Sequence, residues 1–208
     1  MIFACCEVEP LKTSLGEVFI EGPIQAAYLE NLYLNEKLTN FRPPARQKEA
    51  LIEISKMPEG MIYTARHGRE VIGYVTFHYA DKYSRWSKHP RVLELGGIEI
   101  SPDWRKSGVA VALLKEAFTN PVMEDYIVVT IEFCWHWDLT RSGIGMFEYQ
   151  KMLAKLFGVV GLERRATDDP DIIEHPANVL MVRVGKNVNK DEIMLFESML
   201  YEGKLGLF

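Results

Sequence analysis

The run "YIVVTIEF", Tyr126 to Phe133, is apolar at every position except Thr130 and Glu132. A strand that offers both faces to water alternates; one that does not must be covered on both sides. This run therefore predicts a sheet with helices on each face. A second run, "VLELGGIEI" (Val92 to Ile100), carries paired glycines at Gly96 and Gly97. Glycines inside a strand point to a bulge or to close approach by another group.

Other elements fill in around these two. Strands are predicted at Gly16–Ile24, at 61–66 and 70–79 about the turn "HGRE", and late in the chain at 161–167 and 178–184. The spacing of Ile24, Ala27, Leu29, Leu32 and Leu34 predicts an amphipathic helix opened by Pro23. Further helices are expected over 45–57, after Val109, over Ile144–Phe157 and from Asn189, with "DKYSRWSKHP" as a polar loop. No repeat, low-complexity tract or linker divides the 208 residues. The expectation is one α/β (α+β) domain spanning 1–208 around a mixed sheet, its core about 16–190 and a terminal helix about 190–202.

Bulk properties narrow the function. A net charge of −5 argues against nucleic acid or an anionic membrane as the main partner. No run approaches the ~18 apolar residues of a membrane span, and "MIFACCEVEP" lacks the basic flank of a signal peptide. Cys5, Cys6 and Cys134 match no disulfide framework or zinc spacing. Reduced thiols, a cytoplasmic location and no metal are the expectation.

The chemistry concentrates after Ile100. In "SPDWRKSGVAVALL" the strand stops at Pro102, and a helix starts with Ala110, Leu113, Leu114, Ala117 and Phe118 on one face. Arg105, Lys106, Ser107, Gly108, Val109 and Ala110 lie between, basic or small, with no acid after Asp103. A helix start presents free N–H groups and a partial positive charge, and small residues let an anion reach them. A diphosphate would require such an entrance, although a strand-to-helix turn alone could also explain it. Neither Gly-x-x-x-x-Gly-Lys-Ser/Thr nor Gly-x-Gly-x-x-Gly is present, so common nucleotide motifs are unsupported.

Arg-x-x-Gly-x-Ala after a central strand resembles the acyl-CoA signature of the GNAT superfamily of N-acetyltransferases. Within it, "FRPP" (41–44), "ARHG" (65–68), "IGYVT" (72–76), "WHWDL" (135–139), "ATDDP" (166–170) and "HPAN" (175–178) resemble the AcuA-type protein acetyltransferases of acetoin utilisation. The resemblance implies the GNAT fold: a mixed, mostly antiparallel sheet of about six to seven strands flanked by helices, with a splayed strand pair holding acyl-CoA. It implies acetyl-CoA as co-substrate without a metal, and a lysine of acetyl-CoA synthetase as acceptor, the modification inactivating that enzyme.

By that resemblance, residues 105–110 hold the diphosphate, and the main chain near Ile98 and Ile100 pairs with pantetheine. A general base is expected eleven positions before Arg105, at Glu94. Glu99 competes, and a bulge at Gly96–Gly97 would bring both to one face. Phe157 stands where many relatives carry a tyrosine acid, and Tyr149 on the same helix is out of register. Cys134 is expected to be a bystander. Trp135, His136, Trp137 and Asp138 are candidates for the wall that receives the target lysine, or else an aromatic plug closing the sheet. Asp168, Asp169 and Asp171 either steer a basic target or cap a turn. Two other functions fit the residues: a small-molecule (polyamine-like) acetyltransferase and a non-catalytic acetyl-CoA-binding regulator. The oligomeric state stays open, a homodimer included.

Overall fold

The computed structural model describes residues 9 to 204; Cys5 and Cys6 lie outside this range. The strands are β1 (Leu11–Thr13), β2 (Gly16–Glu21), β3 (Tyr33–Leu34), β4 (Met61–His67), β5 (Glu70–His78), β6 (Val92–Ile100), β7 (Ile127–Glu132), β8 (Glu163–Arg165) and β9 (Val179–Val184). The helices are α1 (Ala26–Glu30), α2 (Pro44–Ser55), α3 (Val109–Thr119), α4 (Leu139–Ser142), α5 (Met146–Gly158), α6 (Pro170–Ile173) and α7 (Lys190–Met199). One nine-stranded sheet runs β1-β2-β4-β5-β6-β7-β9-β8, with β3 added beside β5. Its ladders are antiparallel except β3 with β5 and β6 with β7. The sheet exceeds the expected six to seven strands through two short additions, β1 and β3.

Strand alternation sorts the core into two layers. Tyr63, Val75, Leu93, Leu95, Val128 and Met181 face Leu113 and Leu114 of α3 and Leu153 and Phe157 of α5. On the other face, Ile62 and Tyr74 meet Leu29 of α1 and Leu51 of α2. Farther along that face Val92, Ile127, Val129 and Val182 meet Phe196 and Met199 of α7. Each fully buried aliphatic or aromatic side chain contributes about 1.5–3 kcal/mol. His78 of β5 and Glu94 of β6, paired across the sheet, are only partly buried.

The helix expected from Pro23 onward is only the five residues of α1. Part of its apolar spacing persists, since Ile24, Leu29 and Leu32 are buried, but backbone pairing wins after Asn31. The Tyr33 N–H donates to Arg69 O (3.2 Å) and the Asn35 N–H to Val71 O (2.9 Å), which recruits the segment as β3. The polar loop before Pro90 likewise hides an anchor. Trp86, in a short 3₁₀ turn (Arg85–Lys88), is fully buried against Phe196 at 5.4 Å.

Two irregularities set up the functional region. Opposite β5, Thr76 pairs with Gly97 and Phe77 with Leu95, leaving Gly96 as the extra residue of a bulge. A Cβ on Gly96 would stand 2.2 Å from His78 Nε2, so the residue must be glycine for the ring to lie there. The parallel ladder between β6 and β7 ends at Glu94 with Val129. Beyond it, Leu95–Ile100 and Thr130–Glu132 run on without pairing each other. The two strands are splayed.

Candidate active site

The Ser101 N–H donates to Ile72 O on β5 (2.8 Å). Because backbone groups alternate along a strand, Ile98 and Ile100 turn theirs away from β5, toward the splay. The chain then turns through Pro102–Trp104 and enters α3 at Gly108, whose φ of +85° suits glycine. Lys106 has φ of +60°. Among the described residues, no acceptor meets the N–H groups of Lys106, Ser107, Gly108, Val109 or Ala110, and no side chain caps the helix. A Cβ on Gly108 would touch nothing within 4 Å, so the approach is open. Five free donors at the positive end of an eleven-residue helix form a fitting cradle for a diphosphate.

The two cations of this loop diverge. Lys106 is exposed. Arg105 turns inward, its Nη2 2.7 Å from Asp138 Oδ2 and its Nε 3.3 Å from Ile100 O. Asp138 also receives Arg141 Nε at 2.7 Å and is 7% exposed. Burial works against this carboxylate, but Arg141 and Arg105 outweigh it and hold its pKa below the usual range. Asp138 thus locks the end of β6 to the loop after β7, and its charge is already neutralised. The wall of "WHWD" splits accordingly. Trp137 is buried and stacks on Tyr149 (5.4 Å, 18°). Trp135 is exposed and stacks on Phe133 (4.7 Å, 12°). His136 is also exposed, edge-on to Phe41 and Phe133, and its carbonyl accepts from Asn40 Nδ2 (2.8 Å). Trp135 and His136 therefore face the surface, whereas Trp137 and Asp138 support them from behind.

The bulge places both glutamates on one face, Glu94 opposite His78 and Glu99 opposite Tyr74. Their environments differ. Glu99 is 4% exposed and accepts from the Tyr74 hydroxyl (2.7 Å) and the Asn40 N–H (2.8 Å). It pins the 35–43 segment onto β6. Glu94 is half-buried and accepts no hydrogen bond from another side chain among those described. Burial raises its pKa, the charge of His78 pulls it partly down, and Asp81 pushes it up.

A concave cleft lies where β6 and β7 part. Gly96, Gly97, Ile98, Thr130, Glu132 and Tyr149 line it, with Phe41 and His136 at its mouth. Sequence reasoning missed Glu132 and Asn40. A glutamate inside a strand apolar on both faces was the available signal for the former; Asn40 carries none. Phe157 is fully buried in the core and Tyr149 half-buried. The Cys134 N–H donates to Asn178 Oδ1 (2.9 Å) in a buried turn, so "HPAN" is scaffolding for that loop. Asp169 caps α6, and Asp168 pairs with Arg85 at 2.7 Å. Among the described residues no group of three His, Cys, Asp or Glu side chains could hold a metal, and no helix is long and apolar enough to cross a membrane.

Comparisons agree with this geometry. The profile of the Acetyltransferase (GNAT) family matches residues 28–120. The acetoin utilization protein AcuA of Bacillus subtilis (strain 168) is 43% identical over 193 residues, 92% of each chain. That of Bacillus licheniformis is 43% identical over 196 residues, 93% of each. The crystal structure of an acetoin utilization protein from Exiguobacterium sibiricum 255-15 superposes with a TM-score of 0.92 at 43% identity, over 95% of this chain and 94% of that one. Splayed strands, a donor-lined helix entrance and this similarity lead to one conclusion: the chain belongs to the GNAT acetyltransferases of the AcuA type and is an acetyl-CoA-dependent N-acetyltransferase.

Proposed function

We propose that the chain is a protein-lysine N-acetyltransferase and that its acceptor is a lysine of acetyl-CoA synthetase, which acetylation inactivates. The observation that carries a protein-borne acceptor is the shape of the accessible face. The cleft and a second concavity share Ile131 and Phe133, and the latter extends past Lys82, Tyr83 and Asp169. Tyr83 is 86% exposed and Trp135 53%, with Phe41 also exposed. Open aromatic ground of this kind suits a protein surface; a free polyamine calls for an enclosed acidic pocket.

Acetyl-CoA supplies an activated acetyl thioester when bound. The amides of 106–110 hold the diphosphate, and the main chain of Ile98 and Ile100 holds the arm along the splay. At pH 7 fewer than ~1 in 1,000 exposed lysines is neutral, so Glu94 acts as general base and takes the ammonium proton. Trp135 and His136 flank the aliphatic stem of the incoming lysine.

The test is mass spectrometry of acetyl-CoA synthetase after incubation with this protein and acetyl-CoA. Acetylation confined to one or a few lysines, with matching loss of synthetase activity, is expected. An unmodified synthetase, under conditions where the protein binds acetyl-CoA, would refute the assignment of this acceptor.

A further inference from the structure

Glu132 is the one charged residue in a strand otherwise built for burial, and the reading above leaves it without a task. It ends β7, beyond the last β6–β7 pair at Glu94 and Val129. Counting onward along both strands sets it across the cleft from Gly97 and Ile98. Alternation puts it on the α5 face with Val128 and Thr130, opposite to Glu94 and Glu99. No cation pairs with it among the described residues; the Thr130 hydroxyl donates to it at 2.9 Å. The Trp137 indole, 8% exposed, faces the carboxyl, yet its Nε1–H closes no hydrogen bond. The titratable groups around it are Tyr149 on α5 and His136 at the cleft mouth. Arg105 lies farther back and is neutralised by Asp138.

With no cation beside it among the described residues, and a hydroxyl rather than a charged group donating to it, the setting of this carboxyl favours the protonated form more than that of a surface glutamate does. Burial pushes its pKa up, and the Thr130 hydroxyl and Trp137 indole bring it only part of the way back. Phe157, at the position where the superfamily resemblance implies a tyrosine acid, is buried and has no hydroxyl. We propose that Glu132 is the general acid of this enzyme, protonating the sulfur of the departing coenzyme A from the side of the cleft opposite Glu94.

The inference rests on the thioester lying in the splay. As the amine nitrogen bonds to the carbonyl carbon, the C–S bond breaks and its electron pair stays on sulfur. Glu132 gives that sulfur its proton, yielding the thiol. Glu94 passes the first ammonium proton to solvent before attack and takes the second from nitrogen as the C–N bond forms. Between turnovers solvent returns a proton to Glu132 and removes one from Glu94, so the net reaction is ammonium plus thioester to amide, thiol and one proton released to solvent.

The experiment is carbon NMR of the full-length protein carrying labelled glutamate carboxyls, with Glu132 assigned by the signal lost in Glu132→Gln. At pH 7 this carbon is expected at the position of a protonated acid and to move when coenzyme A is added. Glu132→Gln should also slow turnover on the order of a hundredfold while coenzyme A affinity stays within a few-fold. A carboxylate signal at pH 7 would overturn the proposal. So would a Glu132 carbon indifferent to coenzyme A while the amides of 106–110 respond, and there the binding site would stand. If neither responds, the binding site falls and the proposal with it. Unchanged turnover in Glu132→Gln with a large loss in Tyr149→Phe would also overturn it, transferring the role to Tyr149.

Discussion

Glu94→Gln is expected to slow acetyl transfer to lysine by 10²- to 10³-fold at neutral pH while leaving coenzyme A affinity unchanged. The range follows from what a positioned base contributes, roughly 10²–10⁴. Glutamine keeps the shape of the side chain but cannot accept the ammonium proton. The pH profile sharpens the test. A general base must be deprotonated to work, and burial raises the Glu94 pKa while His78 moderates the rise. The wild-type rate should therefore fall as pH drops through that elevated value, and the variant should lack this limb. A raised pKa would make Glu94 a stronger base than a surface glutamate. Glu99→Gln should behave differently, because Glu99 already accepts from Tyr74 and Asn40. A rate loss at Glu99 equal to that at Glu94, with the 35–43 segment undisturbed, would speak against the assignment.

Asp138→Ala is expected to destabilise the fold by about 3 kcal/mol at pH 7, in keeping with removal of one partner from a buried ion pair. The variant leaves Arg105 and Arg141 without their shared carboxylate and removes the acceptor for the Arg141 N–H at the start of α4. Denaturant unfolding measures this directly. The pH dependence has a definite sign. Because the folded state holds the Asp138 pKa below its unfolded value, the stabilisation is complete above the unfolded value of about 3.9. It disappears as pH falls through the lower, folded value. The gap between wild type and variant should be widest near neutrality and narrow below about pH 4. A constant gap across that range would mean that packing rather than charge accounts for the loss.

The splayed pair and the helix entrance were legible because their causes are local. Paired glycines at 96–97 marked the bulge, the apolar span 126–133 marked a strand covered on both faces, and Pro102 with Arg-x-x-Gly-x-Ala marked a strand, turn and helix. The start of α7 was equally readable from Asn189, whose side chain accepts from the Glu192 N–H (2.9 Å). Long-range features were not readable. The approach of Arg105 to Asp138, 33 residues later, is a tertiary contact that no local pattern announces. It redirects a cation expected at the diphosphate and neutralises an acid expected at the lysine. The helix read from Pro23 failed for a related reason. Apolar spacing at Ile24, Ala27, Leu29, Leu32 and Leu34 fits a helix, but the chain at the start of β5 offered groups at Arg69 and Val71 that the 33–35 segment could pair. The role proposed for Glu132 depends on which side of the splay it faces, and β-strand phase fixes that only once the register is known.

Isothermal calorimetry comparing coenzyme A with pantetheine, which lacks the diphosphate, tests most directly whether the entrance of α3 holds the co-substrate. Coenzyme A should bind at least 10²-fold more tightly, since charge-assisted hydrogen bonds contribute about 1.5–3 kcal/mol each and the site presents several. Equal affinity for the two compounds would contradict it.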